Sequence, residues 1–454
     1  MLEYLEGPYT SNAQLSAARY FRKLFSSDTA LTQKVRCSDR LAAALVTCLQ
    51  RWDLTELQLD AAWALTNVLC GDSQQTHVVV RAGAVERLLS LARESTQTEL
   101  RDQAIWALSN IAGDCMECKG TLIDTGFLPI LLSVIRTEAC NPSNFCLITG
   151  GNKGSSLKTA VWALSNLSRG RPYVVKFDHL KSGLPTLSAI ISSNLFSHDT
   201  DLLADACWTV AYMADGTNSQ VQSVLDSGVT SALVSALGSA SDRFAAGALR
   251  AIGNLVTGND LQTQQVLDLS VMPQLLKLLS HDKCGIRREA AWALSNITAG
   301  TEPQVDSVLR EEGMIERLLH CVYTDDNKVQ KEVVWTVCNA ATGGSVQHCM
   351  ALIDWGVLSA LNHSLGQFSS EPRLCDAILS ALDALLDNCP RQAVVHALAL
   401  LKSGDFLGAI RKIQQLHADH PVVEHAESFS HKHFDSLPPA QPRLVHFEIV
   451  RCNA

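Results

Sequence analysis

Trp292-Ala293-Leu294-Ser295-Asn296 is the stretch that decides how this chain folds, because variants of it recur along the sequence. They are Trp63-Ala-Leu-Thr-Asn67, Trp106-Ala-Leu-Ser-Asn110, Trp162-Ala-Leu-Ser-Asn166, Trp208-Thr-Val-Ala-Tyr212, Arg250-Ala-Ile-Gly-Asn254 and Trp335-Thr-Val-Cys-Asn339. Successive first positions lie 43, 56, 46, 42, 42 and 43 residues apart. A fixed period of this length is the signature of stacked helical repeats, in which no unit can bury its apolar face alone.

Each unit reads the same way. A helix ends in the Trp/Asn phrase and a small polar turn follows, such as Gly71-Asp72-Ser73. An amphipathic stretch then runs to a glycine (Gly83, Gly126, Gly183, Gly228, Gly313, Gly356), which signals a helix C-terminus, and a Leu-rich helix comes next. That is the three-helix armadillo unit, and it predicts an all-α, right-handed superhelical solenoid of about 8–10 armadillo repeats. The 56-residue step implies an inserted loop at about 137–157, rich in Gly, Ser and Asn. Asn12–Phe25 reads as a worn first repeat, and Asp376–Leu386 as an eighth with Ser380 and Ala384 in place of Trp and Asn. The expected divisions are a short segment 1–10, the array 11–400, capping helices 401–435 and a flexible tail 436–454.

Composition agrees. With 454 residues, 47% hydrophobic, the chain is too long for one compact core. Its net charge of −9 disfavours nucleic acid and favours a basic peptide as partner. Fifteen cysteines, many on apolar faces (Cys207, Cys338, Cys375), fit buried thiols in a reducing compartment. No signal-peptide pattern and no run long enough for a membrane span is present, so cytoplasm and nucleus are expected, with no membrane partner.

Trp and Asn four residues apart share one helical face, so stacking makes parallel rows of indoles and amides. Amides offer donors and acceptors to an extended peptide backbone. Slots between indoles suit Lys or Arg stems, with a cation–π gain of about 0.5–2 kcal/mol. The charged tips then require acids, for which Asp114, Asp205 and Glu332 are placed. A core role for these Trp residues is the competing explanation; a buried amide beside the Trp in layer after layer argues against it. Arg250 interrupts the row and is read as dividing it into Trp63–Trp208 and Trp292–Trp335, which suits a two-cluster ligand. Cys115-Met-Glu-Cys118 is a lone CxxC with no second metal-spaced pair, so no metal or other cofactor is expected. Asn166-Leu-Ser168 and Asn296-Ile-Thr298 match the glycosylation pattern incidentally, and no nucleophile–base pattern points to an enzyme.

These residues resemble the importin-α (karyopherin-α) family, adaptors that carry nuclear localisation signals to importin-β. The likeness covers about 10–435 and is sharpest at Leu59–Asn67, Gln103–Asn110, Leu203–Trp208, Ala248–Asn254 and Trp292–Gly300. It implies a major peptide site on Trp63, Asn67, Trp106, Asn110, Asp114, Trp162 and Asn166, with Asp114 receiving a deeply bound Lys. Gly71, Thr76, Gln103 and Asp205 match supporting positions, and Trp208 and Tyr212 continue the row. The implied minor site holds Val256, Thr263, Trp292, Asn296, Glu332, Trp335 and Asn339, with Arg250 and Asn254 between the two. Implied partners are cargo proteins with basic signals, importin-β, and an export receptor at the C-terminal repeats. The family begins with a basic importin-β-binding segment, whereas residues 1–10 hold no Lys or Arg. Groove autoinhibition is therefore expected to be absent, and either the segment lies outside this sequence or this member lacks it and the importin-β route with it. Two other readings stay open: an armadillo scaffold outside nuclear import, and a cargo binder unable to engage importin-β.

Overall fold

The repeat Asp72–Asp114 shows how the sequence builds each unit. Asp72 caps helix Ser73–Arg81, its carboxylate accepting the Gln75 N–H at 3.0 Å. Gly83 then turns the chain at φ 82, where a Cβ would meet nothing within 4 Å. The left-handed backbone, not lack of space, requires glycine there. Helix Ala84–Glu94 buries Ala84, Val85, Leu88, Leu89, Leu91 and Ala92. Helix Thr98–Asp114 carries Trp106 and Asn110 and buries Leu100, Ala104, Ile105, Ala107, Leu108 and Ile111.

The computed structural model describes residues 1–7, 9–26, 36–140, 156–170 and 175–435. Among these residues every regular element is helical. Most of the expected 137–157 insertion, and all of the expected 436–454 tail, lie outside the described residues. No single described helix is long and apolar enough to cross a membrane.

Left-handed turns recur at Gly126, Gly228, Gly313 and Gly356. Gly183 departs from the expectation. Its φ is −84, so its backbone does not require glycine, and a Cβ would meet only the Leu132 Cδ2 methyl, at 2.8 Å. The matching turn before helix Met272–Leu278 is made by Ser270 at φ 57, which the glycine pattern does not foresee. The entry into each unit's first helix also repeats. Thr217/Gln220, Asn259/Gln262, Thr301/Gln304 and Ser345/His348 all form capping boxes.

The Trp/Asn helices stack on one another. In one compact unit, Met1–Gln274, helices Ser11–Phe25, Thr55–Leu69, Thr98–Asp114, Ser156–Ser168, Thr200–Ala214 and Asp242–Leu255 pack in that order. In the other, Leu275–Ala454, Cys284–Thr298, Asn327–Gly343 and Pro372–Asp387 do the same, and Pro421–Ser430 packs on the last of these. Buried alanines (Ala61, Ala64, Ala104, Ala107, Ala290, Ala293) line these helices and let their axes approach closely. The worn first repeat is thus a packed helix, capped by the Thr10 hydroxyl. The C-terminal end closes on a ring cluster, with Phe406 5.1 Å from Phe429 and 5.5 Å from Phe434.

Candidate functional site

None of the repeated Trp side chains is buried. Trp63 and Trp106 are 37% and 47% exposed, and Trp162, Trp208, Trp292 and Trp335 are half-buried. Their neighbours on the same helices are sealed: Ala62, Ala64, Ala107, Ala163 and Ala293 have no exposed surface. The core explanation for the Trp row therefore fails. The indoles form a surface stripe held by helices whose other faces make the core.

The Asn row is more committed than the sequence implies. Asn67 Nδ2 donates to the Arg22 carbonyl at 3.0 Å, and Asn110 Nδ2 to the Thr66 carbonyl at 3.4 Å. Asn166 Nδ2 donates to Ser109 Oγ at 3.1 Å, Asn254 Nδ2 to the Ala211 carbonyl at 2.8 Å, and Asn339 Nδ2 to the Ser295 carbonyl at 2.9 Å. In each case the acceptor belongs to the preceding Trp/Asn helix. The amide nitrogen thus ties one repeat to the last, at Asn110 through both the Thr66 carbonyl and Cys70 Sγ (3.3 Å), leaving the amide oxygen for a ligand. Asn296 differs: its Nδ2 is buried and makes no hydrogen bond among the described residues. Tyr212, in the Asn position, sets its ring 5.9 Å from Trp208.

The slots are not all open. Trp106 and Trp162 meet edge to face with centroids 6.4 Å apart. A methylene stem between two ring planes needs about 7–8 Å, twice a carbon contact distance. A ligand stem there requires an indole to turn. At the first Trp, the Arg22 guanidinium already lies over the Trp63 ring, 4.6 Å from its centroid.

The acids divide into two kinds. Those three residues before a Trp face arginines of a neighbouring helix. Asp60 pairs with Arg22 at 2.6 Å and Arg19 at 2.9 Å, and Asp205 pairs with Arg243. Glu332 lies beside Arg288. Burial pushes all three carboxyls above their usual range despite these arginines. Asp205, expected from sequence to anchor an incoming cation, is thus already matched internally, whereas Glu332 lies near an arginine that pairs with Glu289 at 2.7 Å. A cavity of about 400 Å³ makes the point, since Lys158 and Arg243 face Asp201 and Asp205 in its wall beside Trp106 and Trp162. Two cations against two acids leave it no net charge. Asp114 is the other kind. Its Oδ2 accepts from Ser73 Oγ at 2.8 Å, and among the described residues no cation pairs with it.

Several residues expected to support the site are buried and reach a ligand only through others. Gln103 Nε2 donates to Thr66 Oγ1 at 2.7 Å, and Thr263 Oγ1 to the Val256 carbonyl at 3.4 Å. Thr76, Val256, Thr263 and Asn254 are all buried. Gly71 forms the exposed turn after Asn67, its N–H on the Val68 carbonyl at 3.0 Å. Arg250 and Arg169 lie close enough to Tyr212 to oppose the upward push that burial gives its phenol.

One group escaped the sequence reading. His77 and Asp114 join Cys115 and Cys118, with one donor atom from each lying within 4.8 Å of every other. The available signal was a broken repeat pattern. Where other units read Gly-Thr-x-x-Gln or Gly-Asn-x-x-Gln, this one reads Asp114-Cys115-x-x-Cys118.

A family model described as Armadillo/beta-catenin-like repeat matches residues 72–113, 259–299 and 302–342. Importin subunit alpha-1b of Oryza sativa subsp. japonica is 37% identical over 245 residues, 54% of this chain and 42% of that protein. The chain carries armadillo repeats and is similar to importin alpha subunits over about half its length. Importin subunit alpha-2 of Arabidopsis thaliana is 35% identical over 49% of this chain and 38% of its own length. Importin subunit alpha-B of Dictyostelium discoideum is 34% identical over 53% and 43%. The matched stretch thus spans less than half the length of these importin-α relatives. Among solved structures, the crystal structure of an engineered protein superposes with a TM-score of 0.78 at 25% identity, over 96% of this chain and 98% of that one.

Proposed function

We propose that this chain is a nuclear import adaptor that holds extended Lys/Arg-rich peptides, of the nuclear localisation signal kind, along its Trp/Asn stripe. The carrying observation is the exposed Trp row over a sealed core, beside an amide row whose oxygens stay available. In the unit Met1–Gln274 the stripe runs over Trp63, Trp106, Trp162 and Trp208, with Asp114 as the acid for a lysine ammonium. Asp60 and Asp205 hold the stripe's own arginines in place instead. In the unit Leu275–Ala454 a shorter stripe, Trp292 with Trp335, binds on the same principle. The likeness to importin alpha subunits supports an adaptor that works between cytoplasm and nucleus with a carrier importin; an export receptor at its later repeats is part of the same proposal. The chemistry is binding, not catalysis.

Fluorescence anisotropy with a labelled Lys-rich signal peptide tests this. Replacing Asp114 by Lys turns a charge-assisted hydrogen bond into repulsion and should weaken binding about 100-fold. Equal affinity for wild type and D114K, or a preference for acidic peptides, would reject the adaptor and leave an armadillo scaffold of another kind.

A further inference from the structure

His77, Asp114, Cys115 and Cys118 lie at the junction of two successive repeats. His77 projects from helix Ser73–Arg81, Asp114 ends helix Thr98–Asp114, and the cysteines open helix Met116–Asp124. These are two sulfurs, one imidazole and one carboxylate, a donor set that suits zinc. Tetrahedral zinc holds such atoms about 3.3–3.8 Å apart. With no pair more than 4.8 Å apart, small side-chain rotations complete the shell. The Cys115 sulfur already accepts the Cys118 N–H at 3.3 Å, the bond by which a CxxC chelate orients its first thiolate. Ser73 Oγ, at 2.8 Å from Asp114 Oδ2, supplies an outer partner that fixes the carboxylate.

The internal repeats supply an independent argument. Four other units enter this helix through a capping box with paired side-chain and backbone bonds. Here the same positions carry two thiols, which cap poorly, and a carboxylate stands where the others have glycine. The Cys115 sulfur still caps this helix, but the reciprocal side-chain bond of the box is lost, and a shared ligand would replace it. The neighbourhood is also rich in negative charge. Asp114 and Glu117 flank the two thiols in sequence, so a dication there meets opposite charge.

We propose that these four residues bind zinc, and that the metal and a basic peptide compete for Asp114. The competition rests on the adaptor reading; the metal site does not. On loading, the two thiols lose their protons to solvent and the sulfurs ligate the ion. The cluster's charge is −1 before, from Asp114, and −1 after, from zinc with two thiolates and one carboxylate. Competition is therefore for the carboxylate's lone pairs and orientation, not for net charge.

Cobalt(II) serves as the spectroscopic probe, added to the reduced chain and then displaced by zinc. The expected result is the strong visible absorption of tetrahedral cobalt thiolate at one ion per chain. It should be lost in C118A and weakened about 100-fold or more in H77A, and it should be unchanged in C284S. H77A leaves the helix intact, so a folding defect in C118A does not decide the matter. Zinc should then weaken peptide binding about fivefold or more, and peptide should weaken zinc by the same factor. Octahedral cobalt spectra, or undiminished zinc binding by both C118A and H77A, would overturn the site. A bound metal with unchanged peptide affinity overturns the competition alone. Failure of the metal-free chain to bind peptide counts against the adaptor reading and leaves the cobalt result standing.

Discussion

Asp102 illustrates how far burial sets the behaviour of a single side chain. It sits beside Arg101, accepts from Ser156 Oγ at 2.7 Å, and leaves Oδ1 buried without a hydrogen bond. Burial raises its carboxyl from 3.8 to about 6, more than Ser156 and Arg101 lower it. Below 3.8 both folded and unfolded chains hold the proton and the group costs nothing. As pH rises to 6 the unfolded chain ionises first, so stability falls through that window and the cost persists above it. Asp102→Asn keeps the Ser156 bond without the charge. It should raise stability at pH 7 by about 2–3 kcal/mol and remove that part of the pH dependence. Urea unfolding of both proteins at several pH values measures it, and an equal or lower stability of D102N at pH 7 rejects the account. The same logic separates the acids of the Trp stripe. Asp60 and Asp205 are buried against arginines, whereas Asp114 faces a hydroxyl. Their spacing from the Trp residues does not reveal the difference.

One level up, the helix junctions turn on backbone conformation. At Gly83 the backbone lies at φ 82 in open space, so Gly83→Ala should cost about 1–2 kcal/mol through left-handed strain alone. Ser270 already bears that strain at φ 57. Ser270→Gly should therefore stabilise by about 0.5 kcal/mol, the strain relieved less the added unfolded-state entropy. Paired denaturation curves decide it, and a destabilised S270G would mean that the serine side chain matters more than its backbone. The glycine pattern was legible in the sequence because a helix stop is a local event. Gly183 breaks the pattern because the chain runs through it in helical conformation, at φ −84, into helix Leu184–Ser192.

Over the full chain, repetition and charge act together. A net charge of −9 attracts a basic peptide before contact is made. Raising salt from about 0.05 to about 0.5 M should slow association about tenfold and change dissociation much less, because screening acts on approach and the indole contacts do not depend on it. Stopped-flow fluorescence separates the two rates. A salt effect falling mainly on dissociation would place the attraction inside the stripe instead.

Repeat period, helix order and the Trp/Asn face could all be read from the sequence, because each depends on spacings within one helix or between identical phrases. Even the exposed side of the helices followed from Trp and Asn recurring four residues apart. Folding alone decided which polar groups remain available. Asp205 meets Arg243 across 38 positions, Asn67 meets the Arg22 carbonyl across 45, and His77 reaches a cysteine pair one repeat further on. Stacking places residues about one period apart side by side. A helical spacing identifies the face on which a side chain stands, but not what the next repeat sets against it.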